Sequence, residues 1–144
     1  MGQLRISSGS RVYIDTAPVI YSVEKHVDYW DLLVPLWQSA KDGEIELFTS
    51  GLTLLEVLVQ PLRQKNTGLV RAYEDLMTNT EIIVQSVTID ILRSAAGLRA
   101  SENFKTPDAI HAASALASGC THFVTNDPTF RRLSGIDILI LRDL

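Results

Sequence analysis

The sequence has little cysteine, no long apolar run and no excess of positive charge. Its single cysteine, Cys120, excludes an internal disulfide and is expected to be a small buried residue, and without a Cys/His cluster no zinc site is expected. No stretch reaches the roughly 18 apolar residues of a membrane helix. The formal charge of −4 argues against a protein that coats nucleic acid through its overall charge. We therefore expect a cytoplasmic protein without a membrane segment, in which any contact with nucleic acid is local.

The length of 144 residues and the 46% hydrophobic composition suit one domain with one core, spanning residues 1–144. Residues 1–10 have few apolar side chains and lack the apolar run of a secretory signal. We expect these ten residues to form a frayed lead-in.

Short apolar or β-branched runs alternate with segments of helical spacing. The runs predict buried strands at 11–14, 45–48, 82–84, 122–125 and 138–141. The helical segments are 18–25, 29–41, 52–60, 68–78, 89–102 and 107–118. Because parallel strands need crossover connections, this alternation predicts an α/β fold with a mainly parallel sheet covered on both faces.

Local chemistry marks several element ends. Thr106 before Pro107 predicts an N-cap hydroxyl followed by the first residue of the last helix. Gly119 predicts the C-terminal cap of the same helix, because glycine accepts the left-handed conformation. Asp127 and Pro128 predict the end of the fourth strand and a short turn.

Four acidic residues fall near the carboxyl ends of the predicted strands: Asp15, Glu56, Asp108 and Asp127. Ligands of open parallel sheets bind at that edge, so we expect the four carboxylates to crowd one volume if their strands are neighbours. Crowded carboxylates raise one another's pKa unless a cation is present, and an oxygen-only donor set suits Mg²⁺ or Mn²⁺. Such a site predicts phosphodiester hydrolysis, because the metal activates a water and neutralises charge on the leaving oxygen.

Each acid also has a purely structural interpretation. Asp15 and Asp127 could cap the helices that follow them, and Asp108 could complement a helix dipole. Glu56 follows Thr53 at the spacing of a capping box, although a helix that begins at Ser50 would place Glu56 too deep for that role. The combination favours a functional site, because four such acids at one edge are costly for stability alone.

Four segments resemble the PIN-domain nucleases and, within that family, the VapC-like toxins of type II toxin–antitoxin pairs. The segments are VYIDTAPVIY, TSGLTLLEVL, TPDAIHAASAL and FVTNDPTF, in the family's order. The resemblance implies a three-layer α/β/α sandwich and cleavage of RNA that depends on Mg²⁺ or Mn²⁺. It also implies frequent homodimers and a small antitoxin protein as partner.

The resemblance also implies roles for individual residues. The metal-binding and catalytic acids would be Asp15, Glu56, Asp108 and Asp127, with Thr16 and Thr125 as supporting hydroxyls. Arg131 and Arg132 are the basic pair beside a motif and are candidates for contact with RNA phosphates, although two adjacent arginines in a turn are more often simply solvated. Basic candidates elsewhere in the chain are Arg63, Lys65, Arg99 and Lys105. His111, three residues after Asp108, is expected to support the acids or pack, rather than bind metal.

Two other functions compete with a nuclease. A haloacid-dehalogenase-type phosphatase also begins with a strand followed by Asp, but it needs a second Asp where this chain has Ala17. A non-catalytic PIN-like interaction module could use the helix that carries Trp30 and Trp37. We expect one of these two indoles to lie in the core and the other at an interface. All four acids are present, which argues against a degenerate module.

Overall fold

The structure, a computed structural model, describes residues 2–144. In this range the chain forms a five-stranded sheet of order β3-β2-β1-β4-β5, with every neighbouring pair parallel. Its strands are β1 (Arg11–Ile14), β2 (Glu46–Ser50), β3 (Ile83–Gln85), β4 (His122–Thr125) and β5 (Asp137–Ile140). The predicted parallel α/β sheet is confirmed.

Six α-helices connect or flank these strands within residues 2–144. They are α1 (Thr16–Val23), α2 (Trp30–Lys41), α3 (Gly51–Arg63), α4 (Thr67–Thr78), α5 (Ile89–Glu102) and α6 (Thr106–Ala117). Two short 3-10 helices follow, at Pro128–Arg132 and Leu141–Asp143. None of the helices described is long and apolar enough to span a bilayer.

The two faces of the sheet carry separate layers of the core. In β1, Val12 and Ile14 pack with residues of α1 to α4, such as Leu33, whereas Tyr13 packs with residues of α5 and α6, such as Ala112. Successive side chains of a strand point to opposite faces, so a strand covered on both sides must be apolar throughout. The result is the three-layer α/β/α sandwich that the sequence resemblance implied.

The direction of strand addition reverses beside β1. The chain adds β2 and β3 on one side of β1 and then crosses over to add β4 and β5 on the other. The carboxyl ends of β1 and β4 therefore flank the crevice where open α/β sheets bind ligands. The backbone N–H of Asp15 donates to the carbonyl of Val124 at 2.9 Å, which ties the two strand ends together.

The N-terminal segment is not frayed, and that prediction is wrong for the residues described. Leu4 and Ile6 pack against the core, and the backbone N–H of Gly9 donates to the carbonyl of Glu44 at 2.7 Å. The segment is extended rather than helical, and its two apolar side chains anchor it. Met1, also part of the predicted lead-in, lies outside the described residues.

The start of α6 also differs from its prediction. Lys105 occupies the N-cap position without a side-chain cap, and Thr106 is already helical. The hydroxyl of Thr106 instead accepts a hydrogen bond from Arg99 at 2.8 Å, and the same guanidinium donates to the carbonyl of Phe104 at 3.0 Å. At the other end the prediction is confirmed, since Gly119 has a φ of +67° just after the helix.

The two tryptophans of α2 lie at the edge of the core. Trp37 packs against the core cluster, and its indole N–H donates to the Ser22 hydroxyl at 2.7 Å. Trp30 is half-buried, with the Lys25 ammonium 5.9 Å from its ring centroid. Trp37 is thus the indole tied to the core, and a partner contact at Trp30 stays a prediction.

We expect Cys120 to be nearly inert towards thiol reagents in the folded protein. It is 6% exposed, and burial raises the pKa of its thiol to about 12, so roughly one thiol in 10,000 is ionised at pH 8. An aromatic disulfide reagent should react slowly with the native protein and rapidly with the denatured protein. The reaction is measured by the absorbance of the released aromatic thiol. Rapid modification without unfolding would contradict the placement of this residue.

Candidate active site

Asp15 lies at the centre of the site, directly after β1. Its Oδ1 accepts a hydrogen bond from the Thr16 backbone N–H at 2.8 Å and caps α1, and its Oδ2 accepts from the Thr125 hydroxyl at 2.8 Å. The residue is 8% exposed. The capping role considered from the sequence is therefore real, but it does not account for a carboxylate this deeply buried.

The buried carboxylate of Asp15 is energetically unfavourable in its charged form. Burial raises its pKa above the ordinary value, although His111, Thr125 and the Thr16 N–H each favour the charged form. A carboxylate in this situation is stabilised by a proton or by a cation.

Glu56 points from the middle of α3 towards the same crevice. Its Oε1 accepts hydrogen bonds from the Thr16 hydroxyl at 2.9 Å and from Nε2 of His111 at 2.6 Å. Burial acts to raise the pKa of Glu56, but the hydrogen bond and charge of His111, with the Thr16 hydroxyl, lower it overall. Glu56 is therefore ionised at neutral pH. Thr16 is the supporting hydroxyl of Glu56, as Thr125 is of Asp15.

Asp108 and Asp127 complete the group of acids at this edge. Asp108 lies in the first turn of α6, where burial raises its pKa and the charges of Asp127 and Asp15 raise it further. Asp127 caps the 3-10 helix at Pro128–Arg132 by accepting from the Thr129 N–H at 2.9 Å. The four predicted acids thus reach one edge of the sheet from four elements, close enough to influence one another's ionisation.

The donor chemistry of this edge fits a hard divalent cation. All four acids present oxygen, and the raised pKa values of Asp15 and Asp108 reflect buried charge that a cation would neutralise. Among residues 2–144, no group of three or more Asp, Glu, His or Cys side chains has the geometry of a formed metal centre. The oxygens of Asp15 and Glu56 are instead engaged by hydroxyl, backbone and imidazole donors.

His111 contacts one of the acids directly and is itself buried. It is 2% exposed, and its two ring nitrogens contact the Tyr13 hydroxyl and Glu56, both at 2.6 Å. Burial lowers its pKa, but the hydrogen bond to Glu56 and the charge of Asp15 raise it overall. The expectation of a supporting or packing residue is compatible with these contacts.

Sequence reasoning did not find Tyr13. Its hydroxyl is buried, and burial together with the charge of Asp15 raises its pKa well above the ordinary value. A usable signal was present, because a strand residue two positions before Asp15 shares its face of the sheet. That face is the one covered by α6, which carries His111.

The basic pair proposed to contact RNA is partly engaged within the protein. The Arg131 guanidinium forms an ion pair with Asp143, and Arg132 donates to the carbonyl of Glu102 at 3.5 Å. Both arginines are exposed, so they stay accessible to a phosphate. Their role in RNA binding stays a prediction.

A model of the PIN domain matches residues 12–136, a range that contains all four acids and both supporting threonines. This chain belongs to the PIN-domain family. A comparison with curated proteins found no match.

The PIN fold of this chain is also similar to solved structures of toxin–antitoxin proteins. VapBC2 from Rickettsia felis, bound to a promoter DNA fragment, is 17% identical, with 90% of this chain and 98% of that chain covered and a TM-score of 0.70. Mycobacterium tuberculosis VapC20, a toxin that cleaves the sarcin–ricin loop, is 18% identical, with coverages of 78% and 86% and a TM-score of 0.65. VapBC-5 from the same organism is 20% identical, with coverages of 92% and 98% and a TM-score of 0.55. At these identities the likeness establishes the fold.

Proposed function

We propose that this PIN-domain protein is an endoribonuclease that depends on Mg²⁺ or Mn²⁺. The observation that carries the proposal is the convergence of Asp15, Glu56, Asp108 and Asp127 at the crevice between β1 and β4, with Asp15 and Asp108 held at raised pKa values. Stability alone gives no reason to place the buried Asp15 beside three partly buried acids. A reaction that depends on a cation and acts on an anionic substrate gives a reason for this arrangement, because the acids can hold the cation.

The residues of the candidate site would have distinct roles in this reaction. The four acids would hold the metal, which when bound activates a water and neutralises charge on the leaving oxygen. Thr125 holds one oxygen of Asp15, and Thr16 holds one oxygen of Glu56, so that both carboxylates are oriented before a metal binds. Arg131 and Arg132 would contact RNA phosphates outside the acidic centre. RNA as substrate is supported by the structural similarity to a toxin that cleaves the sarcin–ricin loop.

A small antitoxin is proposed as the protein partner. Similar solved structures include a toxin–antitoxin complex from Klebsiella pneumoniae and members of the VapBC systems. The exposed side of α3 also offers Leu55, Val59 and Leu62, which are 61%, 38% and 59% exposed and share one helical face. Homodimer formation and a cytoplasmic location stay predictions.

The first test is cleavage of a mixed RNA pool by the purified protein with Mn²⁺, with Mg²⁺ and with EDTA. We expect metal-dependent cutting that falls at least about 100-fold in Asp108→Asn, as expected if about 3 kcal/mol of transition-state stabilisation is lost. Asp90→Asn is the matched control, because Asp90 lies in the first turn of α5 but its side chain is 90% exposed. The control should cut like the wild type.

A non-catalytic interaction module is the alternative, and the exposed apolar face of α3 favours it over other candidates. A folded wild-type protein that neither cuts RNA nor binds Mn²⁺ by calorimetry would support this alternative and overturn the nuclease. Equal cutting by wild type and Asp108→Asn would instead overturn the assignment of the site.

A further inference from the structure

The Tyr13 hydroxyl is a buried polar group that contacts His111 rather than one of the acids directly. Tyr13 is fully buried in β1, its ring stacks on Phe123 at 4.9 Å, and its oxygen lies 2.6 Å from Nδ1 of His111. The other ring nitrogen of His111, Nε2, lies 2.6 Å from Oε1 of Glu56 and 3.7 Å from Oδ1 of Asp15. Tyr13, His111 and Glu56 therefore form a continuous chain of contacts that ends at the acids.

The Tyr13 and Glu56 contacts engage both nitrogens of His111 and fix the orientation of its ring. A neutral imidazole has one N–H donor and one acceptor nitrogen. The Glu56 carboxylate can only accept, so a neutral ring 2.6 Å from it carries its proton on Nε2. The Tyr13 hydroxyl, which can donate or accept, contacts Nδ1 at 2.6 Å and holds the ring in this orientation. The doubly protonated ring also carries a proton on Nε2. Both forms donate to Glu56, whereas the tautomer with a bare Nε2 would set two acceptors against each other at 2.6 Å.

We propose that Tyr13 is a positioning residue for Glu56, acting through His111. Its hydroxyl fixes the orientation of the imidazole so that Nε2 faces Glu56, and that donor keeps the Glu56 carboxylate turned towards Asp15. The expected effect of this contact on metal affinity rests on the proposed function. Its effect on the orientation of His111 and Glu56 can be measured in the metal-free protein.

Glu56 depends on such a donor because little else holds it. Its side chain is 30% exposed, and it reaches the crevice from the middle of α3 through three rotatable bonds. Besides His111, the Thr16 hydroxyl is its hydrogen-bond donor among the residues described. Removing one of two donors should let the carboxylate swing towards solvent.

The test compares Tyr13→Phe with Tyr73→Phe. Each change deletes one buried phenolic hydroxyl and keeps the ring, but the Tyr73 hydroxyl binds Glu24, at the end of α1, and has no contact with the site. Two nuclear magnetic resonance readings are taken on metal-free protein, the ¹⁵N pattern of the His111 ring and the ¹³C resonance of the Glu56 carboxylate. The signals of His111 are identified as those that disappear in His111→Gln, whereas the signals of His26 and His122 persist in that variant.

We expect a protonated Nε2 in the wild type and in Tyr73→Phe. In Tyr13→Phe, the His111 pattern should change and the Glu56 resonance should shift. Mn²⁺ affinity should fall about 10-fold in Tyr13→Phe and stay unchanged in the control, because the loss of a residue that orients a ligand typically costs about 10- to 100-fold. In a His111→Gln background, where an amide replaces the ring as donor, Tyr13→Phe should have no further effect on the Glu56 resonance.

Unchanged His111 and Glu56 signals in folded Tyr13→Phe overturn the proposal. If that variant does not fold, the wild-type spectrum decides, since a neutral ring with its proton on Nδ1 overturns the proposal without any substitution. A wild-type protein that binds no Mn²⁺ and cuts no RNA would overturn the proposed function, whereas the metal-free spectra still decide the role of Tyr13.

Discussion

Asp15→Asn is expected to abolish RNA cleavage and to leave the metal-free protein folded and slightly more stable. Loss of one central oxygen ligand should remove about 4 kcal/mol of transition-state stabilisation, which corresponds to a decrease of about 1,000-fold. The amide keeps an oxygen that can accept from the Thr16 N–H, so the cap of α1 is retained.

The gain in stability follows from the direction of the Asp15 pKa shift. Burial raises this pKa in the folded protein, so the folded state binds the proton more tightly than the unfolded chain does. Stability of the wild type therefore falls as pH rises from the ordinary Asp value of 3.8 through the raised folded value. Asp15→Asn lacks this loss, so above that window we expect it to be more stable than the wild type.

Cleavage assays and urea denaturation between pH 4 and 8 would measure both effects. Asp137→Asn is the control, because Asp137 begins β5 at the opposite edge of the sheet and its side chain is 81% exposed. It should change neither cleavage nor stability appreciably. Full cleavage by Asp15→Asn would contradict the assignment of Asp15 to the active site. A large loss of stability would show that the carboxylate mainly stabilises the fold.

Phe123→Ala is expected to have the largest effect on stability. Phe123 is fully buried in β4, between the rings of Tyr13 at 4.9 Å and Phe130 at 4.5 Å. Truncation removes its apolar contacts and leaves a cavity that the sheet cannot close, so we expect a loss of about 3–5 kcal/mol. That is a large part of the roughly 5–15 kcal/mol that stabilises a typical domain.

The midpoint of urea unfolding, followed by far-ultraviolet circular dichroism, would measure this loss. Ile89→Ala is the matched control, because Ile89 is 63% exposed at the start of α5. Its midpoint should stay near that of the wild type. A similarly small change for Phe123→Ala would mean that the layer beneath α6 is not packed as described.

Much of the fold could be predicted because its signals are local. The bounds of β1, β4 and α5 agree with the predicted ranges, since their apolar runs and caps are set by neighbouring residues. The lead-in was mispredicted because the anchoring of Leu4 and Ile6 depends on distant parts of the core. Thr106 was mispredicted because Arg99 of the preceding helix takes its hydroxyl.

For the candidate site, the sequence by itself determined which acids lie near strand ends. The positions of the strands along the chain and the turn residues that follow them are both local features of the sequence. Only the tertiary structure decided what each acid contacts. Tyr13 and His111 are 98 positions apart, and Thr125 and Asp15 are 110 apart, so these pairs meet only through the register of β1 with β4 and the packing of α6 on the sheet. Such contacts result from long-range packing that no local pattern encodes.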